Sequence, residues 1–373
     1  MTHRVGFVMD LVAGHVTNYQ NLRRVADADP ELDASWHEVS YYVPGGAIER
    51  VRERALPFVP SYFSGITRGA WEMRRALRSG TYDALFTNAS VCVFFTRDFR
   101  RIPTLVDFDS TPAQLDRMPA YTPKPDPAPV ERLKFWLSQN MMHAASICQA
   151  WSRWARDSAV ADYGVPAERV IVNPPGVDLT RWHPTERAAE PERPRRVLFV
   201  GGDFKRKGGE LLLEWFRTRS FQNVELHLVT REEVSAPPGV FVYRDVRPNS
   251  DDLSRLHAQS DIFVLPSLGE CFGISTIEAM ASGLPAVASD SGGTADIIEP
   301  GRNGFIVPAG DTRALGAALE ELLRDDVRRR AFGVQSRELA AERFDVVKNA
   351  QRTFGYLKQL AQRKFEPHEN HAG

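Results

Sequence analysis

The stretch Leu265-Pro266-Ser267-Leu268-Gly269-Glu270-Cys271-Phe272-Gly273-Ile274-Ser275-Thr276-Ile277-Glu278 reads as a buried strand end, a glycine-punctuated turn and the first turns of a helix. Residues 261–265 form a short apolar run of β-formers, and a helix is predicted from about Gly273 until Gly283 and Pro285 stop it. A helix that starts just past the carboxyl end of a strand presents unpaired N–H groups and a partial positive charge, which suits a phosphate or a sugar hydroxyl. Gly269 and Gly273 are expected to let a ligand approach the backbone closely.

Glu270 falls in the turn and Glu278 in the second turn of the helix, with seven residues between them. Carboxylates accept hydrogen bonds, and sugars and riboses offer vicinal hydroxyl donors. Taken alone, the two acids also read as a complement to the helix dipole and a solvated helix residue. The neighbouring motifs weigh against that. Residues 270–278 resemble the E-x7-E element of the retaining glycosyltransferases of family 4, which have the GT-B fold. The resemblance implies that Glu270 contacts a donor sugar, that Glu278 contacts a nucleotide ribose, and that Phe272, Gly273 and Ile274 line the donor.

A chain of 373 residues, 43% apolar and 25% charged, is ordinary for a globular protein and suggests two domains. A formal net charge of −1 offers no global attraction for nucleic acid or for an acidic membrane. Cys92, Cys148 and Cys271 lack metal or disulfide spacing, which points to a reducing cytoplasm and to thiols acting as small hydrophobes. The first residues enter a strand directly, without the apolar region of a secretory signal, and no run reaches transmembrane length.

Residues 5–9 are predicted as the first strand of a doubly wound domain. In the loop that follows, Gly14 permits a tight turn and Thr17 or Asn18 caps a helix. The family often carries a glycine-rich turn here that meets the donor's phosphates. This chain has Gly14 and, beside it, His15, which reads as a ligand for a phosphate or acceptor hydroxyl or as an ordinary loop histidine. Residues 50–78 interleave seven arginines with Phe58, Tyr62, Phe63, Ile66 and Trp71, a mixture that suits an interfacial surface or a solvated helix over a normal core.

Strands at 82–87 and 104–108 deliver Asn88 and Asp109 to the ligand side, with an apolar helical turn at 91–95 between them. Asp107-Phe108-Asp109 is a D-x-D triplet whose acids share one strand face, compatible with a divalent metal or with one acid capping the next turn. The resemblance implies no metal. Many relatives place a His at the end of this strand, near the reacting sugar carbon, and Asp109 stands there instead. Prolines 119, 123, 125, 127 and 129 exclude regular structure and predict an extended loop on the acceptor side. A helix is expected at 130–143, a strand at 145–149, and Asn173-Pro174-Pro175-Gly176-Val177-Asp178 resembles the family's N-x-P-G-V-D turn.

After a linker at 183–196, a strand at 197–200 leads into Gly201-Gly202-Asp203-Phe204-Lys205-Arg206-Lys207-Gly208-Gly209. Strand, glycine loop, cations and helix are the parts of a diphosphate site, with Lys207 a point charge and Arg206 a planar fork. Relatives commonly have an Arg directly after the first Gly. Gly202 occupies that place here, and Arg206 is the candidate substitute. Strands are predicted at 224–229, 240–243 and 285–289, followed by a turn at 290–296 that resembles the family's Gly-Gly-x-x-Glu element with Asp296 as its acid. A family-like hairpin is read at 301–307, amphipathic helices at 315–341, a last helix at 345–365 that crosses back to the first domain, and a disordered tail at 366–373.

The expectation is therefore an α/β protein of GT-B type. It has an acceptor-side Rossmann-like domain at 1–180, a nucleotide-sugar domain at 195–344 and a terminal helix at 345–365. It would be a cytoplasmic, metal-independent, retaining hexosyltransferase without a cofactor, moving a hexose from a UDP- or GDP-sugar to a glycan, lipid or small-molecule acceptor. The site residues would be Arg206, Lys207, Glu270 and Asp109 for catalysis, and Gly14, His15, Gly202, Phe272, Gly273, Ile274 and Glu278 for the donor. The arginine-aromatic segment and the Phe135-Trp136 pair add a peripheral membrane contact. A GT-B nucleotide-sugar epimerase and a non-catalytic sugar-nucleotide-binding subunit are the alternatives.

Overall fold

A computed structural model describes residues 2–12, 14–41, 43, 46–55, 61–124, 126–185 and 193–362. The expectations attached to Phe58, to the side chains of Arg52, Tyr62 and Phe63, to linker residues 186–192 and to the tail at 366–373 lie outside the described residues. The chain divides into two compact units: Met1–Asp116 with Lys124–Asn173 and Ala350–Gly373, and Arg117–Pro123 with Pro174–Asn349.

In the first unit, β1 (His3–Asp10), β2 (Leu32–Val39), β3 (Ala84–Thr87), β4 (Thr104–Phe108), β5 (Ile147–Ala150) and β6 (Val170–Val172) form one sheet in the order β2-β1-β3-β4-β5-β6. Every pairing is parallel. Successive strand side chains point to opposite faces, and both faces are covered, so the strands read as nearly unbroken apolar runs. Val8, Leu85 and Val106 point to a core shared with Met73 and Met142. Phe7, Met9, Phe86 and Leu105 point the other way, onto Ala350, Phe354 and Leu357. Those three residues follow the helical period on the terminal helix Val346–Ala361. Phe7 stacks on Trp36 of β2 at 4.2 Å and meets the Phe354 ring edge-on at 6.1 Å. β2 had no periodic signature: its side chains are half-buried at the sheet edge.

The second unit repeats the plan with β7 (Arg195–Val200), β8 (Val224–Val229), β9 (Val240–Tyr243), β10 (Ile262–Leu265), β11 (Ala286–Ser289) and β12 (Gly304–Val307). Their order is β12-β11-β10-β7-β8-β9, again wholly parallel. Counted within the unit this is 3-2-1-4-5-6, the doubly wound nucleotide-binding order. The order reverses between β7 and β10, so the loops leaving those neighbouring strands turn to opposite faces and open a crevice at their carboxyl ends. The first sheet has the same kind of reversal between β1 and β3.

Four local expectations are corrected. The first helix begins at Gly14, so Thr17 and Asn18 are buried in its opening turns and cap nothing. Pro129 is helical: it sits in the first turn of Ala128–Ala144, where a missing N–H removes no hydrogen bond. Arg117–Pro123, part of the segment expected beside the first domain, groups with the second unit. Residues 301–307 are no hairpin, because β12 pairs in parallel with β11, and only a single bridge joins Pro300 to Gly304.

Candidate active site

The crevice between β7 and β10 collects most of the expected donor residues. The loop after β7 is held by Asp203, whose carboxylate accepts the Arg206 N–H at 3.0 Å and Arg206 Nε at 3.0 Å. Its backbone carbonyl accepts the Lys207 N–H at 3.0 Å. The loop after β10 is tied to it by the Leu268 N–H, which donates to the Arg206 carbonyl at 2.8 Å. Gly208 has a left-handed φ of 78°, and a Cβ there would stand 1.9 Å from the Pro266 carbonyl oxygen. Only glycine accepts both conditions, so this residue sets how closely the two loops approach. A Cβ on Gly202, by contrast, would meet nothing within 4 Å, which leaves open space above the loop.

Across the crevice Lys207 Nζ pairs with Glu270 Oε2. Glu270 is nearly buried, and its carboxylate also accepts from Ser267 Oγ at 3.3 Å and from the Cys271 N–H at 3.2 Å. Ser291 braces the turn from outside by accepting the Glu270 N–H at 2.9 Å. Arg206 lies alongside: Nη1 donates to the Gly269 carbonyl at 3.0 Å and to Tyr121 Oη at 2.7 Å, with the guanidinium carbon 4.5 Å from the centre of the Tyr121 ring. Arg206 thus offers a fork and Lys207 a point charge beside the start of the helix Ile274–Ala281, whose N-cap is Gly273. This arrangement is able to neutralise a diphosphate.

The ligand suggested for Gly269 is corrected here. Its φ is unexceptional, and what approaches it is the protein itself: a Cβ would sit 2.9 Å from Ala120 Cβ and 3.1 Å from the Tyr121 ring. The Phe272 side chain is also turned away, buried in the core with its ring edge-on to Phe344 at 6.2 Å, so only its backbone is available to a ligand. Ile274 is nearly buried at the helix start.

Glu278 is 3% exposed, and burial pushes its carboxyl up to about 8. Among the described residues no donor reaches the carboxylate. A buried acid without a partner costs stability whenever it is charged.

In the first unit the reversal between β1 and β3 gathers a second polar cluster. His15 Nδ1 lies 2.5 Å from Asp10 Oδ1. Burial works against the imidazolium, but the hydrogen bond and charge of Asp10, with Asp109 and Asp107 beyond, prevail and raise it to about 9. The histidine at the helix start is therefore one half of an ion pair and no ordinary loop residue. Asn88 Oδ1 accepts the Asp10 N–H at 2.9 Å. Gly14 opens the helix beside them, and Asp109 follows β4, accepting from Ser110 Oγ at 2.9 Å.

Asp107, the other acid of the D-x-D triplet, is sequestered. Trp151 Nε1 donates to one of its oxygens at 2.8 Å and Gln149 Nε2 to the other at 2.9 Å, while burial pushes it up to about 7. Both oxygens of Asp107 are therefore occupied by protein donors.

Tyr121, Ser291 and Asp10 carried no expectation from the sequence. Tyr121 lay in a proline-punctuated segment with no periodicity to place it. Asn88 was expected on the ligand side at the end of β3, and its bond to Asp10 was not. Asp10 and Ser291 become visible only through the residues they hold.

Two doubly wound parallel sheets, each with a polar crevice at its topological reversal, define a GT-B protein. Residues 23–181 match the family model described as Glycosyltransferase Family 4, and residues 194–325 that described as Glycosyl transferases group 1. The chain belongs to glycosyltransferase family 4. It is 31% identical over 259 residues to alpha-maltose-1-phosphate synthase of Mycolicibacterium smegmatis, covering 61% of this chain and 66% of that one. It spans less than two thirds of the length of the curated relatives it matches. Among solved structures, sucrose-phosphate synthase from Thermosynechococcus elongatus aligns with a TM-score of 0.77 at 18% identity, over 97% of this chain and all (100%) of that one. Anabaena HepE in complex with UDP-glucose gives 0.68 at 17%, over 96% and 100%. At these identities the structures establish the fold.

The titration of Glu278 yields a stability signature. With a folded pKa of about 8 against the ordinary carboxyl value of 4.5, the folded state holds a proton that the unfolded chain releases, so unliganded stability falls as pH rises through that window. Glu278→Gln is expected to melt like the wild type near pH 4.5 and above it at pH 8. Thermal denaturation across pH checks this, and parallel curves for the two proteins would contradict the raised value.

Proposed function

We propose that this protein is a retaining hexosyltransferase that moves a hexose from a UDP- or GDP-sugar to an acceptor hydroxyl. The observation that carries the reading is the Lys207–Glu270 pair with Arg206 beside it, at the reversal of a doubly wound sheet and just ahead of Glu278, which has no donor among the described residues. In this reading the diphosphate lies over Gly202 against Arg206 and Lys207, and the ribose hydroxyls donate to Glu278. Glu270, held by three donors, accepts from the sugar. HepE, a structural neighbour solved with UDP-glucose, supports a nucleotide-sugar donor.

The acceptor oxygen attacks the anomeric carbon on the face from which the diphosphate departs. The bond from that carbon to the β-phosphate oxygen breaks, and the acceptor proton passes to the leaving phosphate. Positioned cations stabilise the charge that develops there, and fixed orientation supplies much of the remainder. Asp109 takes a hydrogen bond from the acceptor. The His15–Asp10 ion pair offsets the acidic charge around it.

Lys207→Ala is expected to lower turnover by roughly a hundredfold, the scale for losing one preorganised charge-stabilising group. Transfer assays on folded variant decide it: wild-type turnover removes the diphosphate assignment. The reaction is also expected to survive chelation, since Arg206, Lys207 and the helix start neutralise the leaving group. Loss of transfer in EDTA with recovery in magnesium or manganese would reverse that reading and call for another metal position.

A peripheral membrane contact is favoured by the helix Ala128–Ala144. Val130, Leu133 and Trp136 recur at three-residue intervals and are 42%, 54% and 57% exposed, giving an apolar face that no other described element covers. Phe135 is partly spent, stacked on Tyr163 at 4.7 Å, and Arg68 is paired with buried Glu49. Within the 50–78 segment the exposed apolar side chains among the described residues are Val51, Ile66 and Trp71, the last with Arg75 5.8 Å from its ring centre. No helix among the described residues is long and apolar enough to cross a membrane. Cosedimentation with anionic vesicles at low salt is expected and should weaken in the variant Leu133→Ser/Trp136→Ser. Wild-type protein left entirely in the supernatant would exclude the contact.

A further inference from the structure

Arg206 owes its place to a residue that comes from outside the loop. The backbone leaves the first unit at Arg117 and returns to it at Lys124, so Arg117–Pro123 forms a short strap on the second unit. The strap is a turn: the Met118 carbonyl accepts the N–H of both Tyr121 and Thr122 at 2.9 Å. It rests on Gly269, the residue before Glu270, at a distance that excludes any side chain there. The glycine is explained by this contact and not by backbone conformation.

From that turn the Tyr121 ring lies against the Arg206 guanidinium, 4.5 Å from its carbon, and Oη accepts from Nη1 at 2.7 Å. Cys271 Sγ lies 3.5 Å from the same oxygen. Nε is spent on Asp203, and Nη1 on Tyr121 and Gly269. Nη2 has no hydrogen-bond acceptor among the described residues. A guanidinium fixed along two of its three nitrogens presents the third in one direction. Burial pushes the phenol up, so it stays protonated and serves Arg206 as a neutral acceptor.

We propose that Tyr121 is a positioning residue for diphosphate recognition: it holds the Arg206 fork so that Nη2 faces the diphosphate of the donor. The inference rests on the donor reading above and adds a residue from a distant segment to it. A rotating arginine must be ordered on binding, whereas one clamped by a ring and a hydroxyl is ordered beforehand. Asp203 alone does not fix the plane, because it engages Nε only.

The test is calorimetry of UDP, GDP, uridine and guanosine on wild type, Tyr121→Phe, Arg206→Ala and the double variant, each first shown to melt at the wild-type temperature. Tyr121→Phe keeps the ring over the guanidinium and removes the hydroxyl. It is expected to weaken the preferred nucleoside diphosphate roughly tenfold, the scale of one hydrogen bond to a charged group. The matching nucleoside should change less than about twofold, since it has no phosphate for Arg206 to hold. In the Arg206→Ala background the same change should have no further effect, because the hydroxyl acts through Arg206. Unchanged diphosphate affinity in Tyr121→Phe, tighter binding, or an equal loss with and without Arg206 would each overturn the assignment. Wild-type protein that binds neither diphosphate removes the donor reading itself, so the two failures are distinguishable.

Discussion

Lys207 and Glu270 lie 63 residues apart in the chain, yet their pairing organises everything around the second crevice. It exists because β10 joins the sheet beside β7 after the chain has travelled out through β8 and β9 and returned. Two loops that would otherwise project independently are then bound by a charge pair, by the Leu268 N–H on the Arg206 carbonyl, and by the contact that Gly208 permits. Glu270 is nearly buried and Lys207 partly so, and removing one partner leaves the other without its counter-charge. The same pair places a cation and an acid within reach of one ligand, so the interaction that closes the crevice also equips it.

Buried acids in the two units illustrate two uses of one physical situation. Burial raises both Asp107 and Glu278. Asp107 has its oxygens filled by Trp151 and Gln149, and Gln149 in turn accepts from Thr353 at 3.0 Å. Asn173 also donates to Thr353, at 2.9 Å. That chain of bonds ties the strand ends to the terminal helix and makes the acid a structural member. Glu278 has no such company among the described residues. A carboxylate kept in the interior without a donor weakens the fold, and proteins retain groups of that kind where a ligand supplies what is missing.

The first crevice differs in charge from the second. Asp10, Asp107 and Asp109 surround one imidazolium, His15, whereas Arg206 and Lys207 bring two cations beside Glu270. Acids outnumber the cation in the first crevice, so an anionic group is opposed there, whereas in the second each cation has an acid beside it, Asp203 for Arg206 and Glu270 for Lys207.

Much of this was legible in the sequence because it is written locally. Strands buried on both faces appear as apolar runs, glycines mark the turns at their ends, and β4, β8 and β9 fell at the predicted residues. The order strand, glycine loop, cations, helix revealed the crevice, and the two acids eight positions apart revealed its second wall. The half-buried β2 escaped because an edge strand need not alternate, and the segment at 301–307 was misread because a turn's own residues do not say whether the next strand runs parallel. The partners of Arg206, the pairing of His15 with Asp10, the turned-away Phe272 and the lack of a donor to Glu278 among the described residues belong to tertiary structure alone. Periodicity and turn chemistry depend on neighbours in the chain and can be read from it. Burial and hydrogen-bond partnership depend on what distant segments bring, as Arg117–Pro123 does when it lays Tyr121 against Arg206.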